Sequence, residues 1–225
     1  MFNSSLSDVP FALGLAKDNF EESIKFALKM MVEDGYATTY ASIVESLGSQ
    51  LFLDVVNDSF DSNEVWAKEF LSRTESVFML SNQIPLLSLA KIEPVKIKIA
   101  NAVPSDEELR QWRDSPPLPA DPYVLFEPLR RFEKGVVESD RIMDRRRSNP
   151  IDVIAFSDPN DLLSYPVPPK AVNPSRLRVV NVFISIATTG YSMPFGKPQV
   201  VNPLKAHTGY QENQIVRKYL IAGQK

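Results

Sequence analysis

The sequence contains no cysteine and a single histidine. Disulfides, thiol nucleophiles and thiolate metal ligands are therefore excluded, as is a zinc site needing two or three imidazoles from this chain. Glycine is scarce, at 8 of 225 residues. A basic excess is also missing. Lys and Arg number 25 against 28 Asp and Glu, for a net charge of −3, so no field is present to hold nucleic acid or an anionic lipid surface. No apolar run approaches the ~18 residues of a membrane span. The first fifteen residues lack the basic start and apolar stretch of a signal peptide, and localisation is left open.

What remains is the composition of an ordinary globular chain, 44% hydrophobic and 10% aromatic. Its length suits one large domain or two small ones. Proline is unevenly spread: 14 of the 18 lie between Pro85 and Pro174, so the middle of the chain differs in kind from its ends.

The periodicity predicts a helix over 18–34, with Asp18 and Glu21 as a capping box. Phe20, Ile24, Leu28, Met31 and Val32 form one buried stripe, and Asp34-Gly35 makes the stop. Tyr40 to Val44 reads as a short strand ending at Glu45-Ser46-Leu47-Gly48-Ser49. Helical spacing then resumes through Leu51, Phe52, Val55 and Val56. Helix, strand, tight turn, helix is the syntax of a parallel sheet. A helix over 63–73 and strands at 77–80, 151–156 and 177–186 follow. Two helices are expected between the second and third strands, one capped by Ser105 with Glu108 and one around 127–147. That proline-rich block is too long for a simple crossover and reads as a cap over one end of the sheet. Arg145-Arg146-Arg147 reads as a solvated helix end. The expected organisation is a core part at 1–84, a cap at 85–150 and a second core part at 151–225.

Three segments, each just after a strand, sit where ligands bind an open α/β sheet. In the first, Ser46 stands at a sharp strand-to-helix turn. There its hydroxyl is presented above the sheet, and the Leu47 N–H can stabilise an oxyanion. Such a turn crowds its own backbone and needs small flanking residues, which Gly48 supplies. Val44 replaces the first glycine of G-x-S-x-G, so the match is partial, and taken alone Ser46 also reads as an N-cap serine. The second segment is Ser157 to Leu163, where Asp158 and Asp161 are candidate acids and the bland alternative is a tight turn. The third is Ala206-His207-Thr208-Gly209-Tyr210. A lone histidine there reads as a structural residue or as a base. Taken together, Ser…Asp…His on three successive strand-end loops is the chain order of an α/β-hydrolase triad, with the only histidine in the base position. Ser88-Leu89-Ala90-Lys91 is an S-x-x-K without the S-D-N and K-T-G companions of penicillin-binding enzymes. Walker, G-x-G-x-x-G, EF-hand and H-E-x-x-H motifs are absent.

On E-S-L-G-S at 45–49, A-F-S-D-P-N-D-L-L-S-Y at 155–165 and A-H-T-G-Y at 206–210, the chain resembles the α/β-hydrolase superfamily, and within it serine esterase or lipase-like proteins. The resemblance runs from about residue 15 to the end. It implies an α/β fold with a mostly parallel sheet and a helical, proline-rich cap. It also implies Ser46 as nucleophile, His207 as general base and then acid, and Asp161 as its orienting acid. Asp158 is the alternative acid. Asp161 is preferred because the superfamily acid is commonly followed by an apolar pair, here Leu162-Leu163. The implied reaction is hydrolysis of a small-molecule or lipid ester, without a cofactor.

One departure is large. Such hydrolases carry three or four strands before the nucleophile strand, and this chain has room for none. The sequence therefore resembles the C-terminal two-thirds or less of such a protein, with Leu47 N–H as the one remaining oxyanion donor. The nucleophile strand would then be an exposed edge through which the chain could self-associate. The competing expectation is an impaired remnant that acts as an interaction module or has no function.

Overall fold

A computed structural model describes residues 14, 16–91, 123–186 and 203–222. In chain order these form α1 (Lys17–Glu33), β1 (Tyr40–Glu45), α2 (Gly48–Asp61), α3 (Val65–Arg73), β2 (Thr74–Leu80), α4 (Ile84–Lys91), α5 (Glu127–Ile142), β3 (Ile151–Ser157), β4 (Leu177–Phe183), α6 (Pro203–Thr208) and α7 (Gln214–Ala222). The strands make one parallel sheet in the order β1-β2-β3-β4. The class is α/β, as the alternation of elements led us to expect. The helix expected at Ser105 and Glu108 lies outside the described residues.

Alternation along each strand separates two apolar layers. Val77, Met79, Val153 and Ala155 join Phe52, Val56, Phe70, Leu71, Phe132 and Val136 in the larger core, formed with α2, α3 and α5. Phe78, Leu80, Ile154 and Phe156 face the other way, against Tyr210 and Val216 of the C-terminal segment. The strands are buried on both faces where they are central, which is why they read as unbroken apolar runs. Among the described residues β1 and β4 are the sheet edges, and Ile43 on β1 is exposed.

Several boundaries move, each for a visible reason. α1 starts at Lys17 with Ala16 as a cap that makes no side-chain bond. Asp18 and Glu21 form no capping box, because the helix begins before Asp18, which lies in its first turn; Glu21 ion-pairs with Lys17 at 3.1 Å. The stripe on α1 is only partly buried. Val32 is covered and Ile24 and Leu28 pack on the core, but Phe20 and Met31 stay 43% and 38% exposed, because this peripheral helix rests on α2 and α3 along a narrow line. α2 is longer than its apolar spacing implied. Gln50, Asp54 and Asn57 are buried polar residues; Gln50 Nε2 donates to Asp54 at 2.7 Å and Asn57 Nδ2 to the Pro128 carbonyl at 2.8 Å. β2 begins at Thr74, the residue directly after the last of α3, so strand follows helix with no loop. β4 ends at Phe183 instead of running to 186.

The segment at 127–147 departs most from expectation. α5 packs on α2 and α3 and gives Leu129, Phe132 and Val136 to the larger core, so it is a crossover helix of the sheet and not part of a cap. It stops at Ile142, and Asp144 takes a left-handed backbone (φ +49°) that turns the chain back. The arginine run is not simply a solvated end. The Arg147 side chain is only 7% exposed and ion-pairs with Asp140 at 3.0 Å. It also donates to the carbonyls of Leu71, Ser72 and Thr74. Leu71 and Ser72 lie in the last turn of α3, where carbonyls lack the i+4 partner of the helix interior and only the Thr74 N–H reaches back, to Leu71. Arg145 pairs with Glu75, and Arg146 alone of the three is exposed.

One guanidinium therefore caps α3 and neutralises a buried carboxylate. Arg147→Ala strands both, and breaking a buried pair costs about 3–5 kcal/mol. Arg147→Lys keeps the charge without the fork and should still lose stability, because one ammonium cannot serve carboxylate and carbonyls together. Urea unfolding of the three proteins, compared at equal m-value, checks both.

Candidate active site

The parallel register sets the site. Glu45 aligns with Leu80, Leu80 with Phe156 and Ser157 with Phe183, so β1, β2 and β3 end at the same level along the carboxyl edge. Ser46 is the first residue beyond β1. Its N–H still donates to the Leu80 carbonyl at 2.9 Å, and its backbone then switches to φ +55°. A left-handed conformation is disfavoured for a serine by roughly 1–2 kcal/mol. It turns the chain directly into α2, with Leu47 as the helix cap. The Leu47 N–H thus belongs to the helix start, where donors lack intrahelical partners. Beyond the turn's own backbone, nothing among the described residues lies within 4 Å of a Cβ built on Gly48.

Ser46, Asp161 and His207 come together. Ser46 Oγ lies 3.1 Å from His207 Nε2, and His207 Nδ1 lies 3.1 Å from both carboxylate oxygens of Asp161. Asp158 does not touch the imidazole. Its carboxylate accepts the Asn160 N–H at 2.9 Å and the Ile186 N–H at 2.6 Å, organising the loop that carries Asp161. Of the S-x-x-K pair, Ser88 is buried in α4 and the Lys91 side chain lies outside the described residues.

Two further residues converge on Asp161 that sequence reading missed. Ser81, the first residue after β2, is fully buried. Its hydroxyl donates to Asp161 Oδ2 at 2.7 Å and lies 2.8 Å from His207 Nδ1. Tyr210 accepts the Asp158 N–H at 2.8 Å and donates to Asp161 Oδ2 at 3.1 Å. Burial pushes the Tyr210 phenol up, so it remains a donor. Burial also opposes ionisation of Asp161. The hydrogen bonds from His207, Ser81 and the Leu163 N–H outweigh it and hold this carboxyl below the ordinary carboxylate range. Ser81 carried no signal in the sequence, since an isolated serine after an apolar run belongs to no motif. Tyr210 stood inside the quoted A-H-T-G-Y without a role.

Gly209 explains how the base loop fits. A Cβ there would stand 2.2 Å from Ile186 Cγ2, so only glycine lets the chain pass between His207 and Tyr210. Ser46 and His207 open onto a depression of about 530 Å³, also lined by Glu45, Thr208, Gln211 and Glu212. Among the described residues no three His, Asp or Glu side chains cluster to hold a metal, and no helix is long and apolar enough to cross a membrane.

Comparison with protein-family models, with curated proteins and with solved structures finds no match. The chemistry open to the site therefore follows from its own residues. A hydroxyl is held against an imidazole nitrogen, and the opposite nitrogen is held against an ionised carboxylate. That arrangement activates an oxygen nucleophile.

Two measurements test the geometry. Glycine is ordinarily less stable than alanine in place of a residue, by about 0.5–1 kcal/mol. At φ +55° that order should invert, with Ser46→Gly unfolding at higher urea than Ser46→Ala. For Asp161, the depressed native pKa means that its ionisation stabilises the fold above the unfolded value of about 3.9. That contribution is lost as pH falls through the lower native value. The stability advantage of wild type over Asp161→Asn, followed by thermal unfolding, should shrink as pH falls below about 4.

Proposed function

We propose that the protein is a serine hydrolase that cleaves carboxylic esters through an acyl-serine intermediate. The observation that carries this reading is the unbroken hydrogen-bond chain from Ser46 Oγ through both nitrogens of His207 to Asp161, anchored at a left-handed strand-to-helix turn. In this reading the fold is of α/β-hydrolase type with β1 as the nucleophile strand. In that fold such a strand lies inside the sheet, and the free edge of β1 among the described residues is where further strands would pair.

The steps follow from the geometry. Ser46 Oγ attacks the ester carbonyl as its proton passes to His207 Nε2. The resulting oxyanion is met by the Leu47 backbone N–H at the start of α2. Collapse of the tetrahedral intermediate breaks the acyl–oxygen bond, and the leaving alkoxide takes the proton from Nε2. A water then enters, gives its proton to Nε2 and attacks the acyl carbon. Expulsion of Ser46 with return of that proton releases the acid. Asp161 stays ionised throughout and stabilises the imidazolium. No cofactor takes part. In this reading the substrate is a small-molecule or lipid ester.

A fluorophosphonate probe should label Ser46, and Ser46→Ala should abolish both label and turnover of p-nitrophenyl acetate. Asp161→Asn should lower kcat by about 10²–10⁴, because the amide favours the wrong imidazole tautomer. Asp158→Asn should cost less than Asp161→Asn. Labelling that persists in Ser46→Ala would remove Ser46 from the mechanism. A folded wild-type protein that neither labels nor turns over ester would favour the alternative reading, an impaired hydrolase that serves as an interaction module.

A further inference from the structure

We propose that Ser81 is a positioning residue: its hydroxyl, held between Asp161 and His207 Nδ1, fixes the imidazole in the tautomer that Ser46 requires. The proposal rests on the ester-hydrolase reading of this site, and it follows from counting protons. An ionised carboxylate can only accept, so the 2.7 Å contact between Ser81 Oγ and Asp161 Oδ2 uses the one hydroxyl proton of Ser81. The same oxygen lies 2.8 Å from His207 Nδ1 and can then only accept there. Nδ1 must carry a proton. Nε2 is left with its lone pair toward Ser46 Oγ, at 3.1 Å.

The opposite tautomer fails on both sides. A bare Nδ1 would face the Asp161 carboxylate at 3.1 Å with no proton between them. Ser81 would then have two acceptors for one proton. When His207 takes the Ser46 proton on Nε2, the Nδ1–H remains shared between Ser81 and Asp161. Ser81 neither gains nor loses a proton and touches no reacting atom.

The backbone supports a role for this side chain. Ser81 has φ +52° and is fully buried, a conformation where glycine would be easier and where a hydroxyl needs partners. The register puts Ser81 beside Ser46, since Glu45 and Leu80, their respective predecessors, are aligned. The sheet therefore delivers nucleophile and positioning hydroxyl to the same level from adjacent strands.

The test uses Ser81→Ala, which removes the hydroxyl, and Ser81→Gly, which removes it while relieving the backbone. With p-nitrophenyl acetate both should lower kcat by about 10–100-fold, the scale of one hydrogen bond to a charged group, while KM stays within about twofold. Because the chain has one histidine, long-range ¹H–¹⁵N spectra report His207 without ambiguity. With its imidazole neutral the wild type should show a single Nδ1–H tautomer, with an Nδ1–H proton that exchanges measurably faster in both variants. A wild-type Nε2–H tautomer, or unchanged kcat and exchange in a folded variant, would overturn the role of Ser81. Should the wild type be inert toward ester and probe, the hydrolase reading falls. The tautomer and exchange measurements then still decide whether Ser81 holds the ring.

Discussion

The parallel register of β1, β2 and β3 is the constraint on which the site depends. Because these strands stop at one level, the residues that follow them are neighbours in space although they lie 35 to over 100 positions apart in sequence. Ser46 and Ser81 leave the sheet through the same left-handed turn, and Asp161 arrives on the loop beyond β3. Slipping one strand by a residue would send its side chains to the other face and carry the functional group away from the imidazole. Chemistry at this edge is thus a consequence of strand pairing.

Two strained turns need a rigid platform. It comes from the larger apolar layer, where α2, α3 and α5 cover one face of the sheet and the Phe52 ring contacts both Phe70 and Phe132. Arg147 ties this layer together electrostatically. It closes the end of α3 and joins it to α5 through Asp140 in a nearly dry setting, where charge-assisted bonds are strong. The smaller layer on the opposite face is built by Tyr210 and Val216 with the far sides of β2 and β3. Tyr210 belongs to both that layer and the polar network, so packing of the C-terminal segment and orientation of the acid are one event.

Electrostatically, the site spends three donors on one carboxylate. His207, Ser81 and Tyr210 all converge on Asp161, and the Leu163 N–H adds a fourth bond. An anion so provided for stays ionised despite burial, and the imidazole beside it is held by geometry instead of solvent. Asp158 has the complementary duty of shaping the loop.

The α/β class, the four strands and the αβα start were legible because each rests on local signals: apolar runs and turn residues at strand ends. Ser46, Asp161 and His207 were singled out by three strand-end loops, a unique histidine and a family resemblance, and their side chains come within hydrogen-bond reach. Choosing Asp161 over Asp158 leaned on the apolar pair Leu162-Leu163, and the structure puts Asp161 on the ring. What local pattern could not decide is who meets whom across the fold. The sequence offered Arg147 as a solvated charge and α5 as a cap, since neither residue pattern encodes that α3 ends nearby with open carbonyls. It offered no role for Ser81, whose meaning comes only from the strand beside it. It missed the crowding at Gly209, where Ile186 leaves no room for a Cβ. Hydrophobic periodicity and turn chemistry are properties of adjacent residues and survive in the sequence. Partners for buried charges, hydroxyls and backbone carbonyls are set by register and packing between distant segments, and these only the tertiary structure decided.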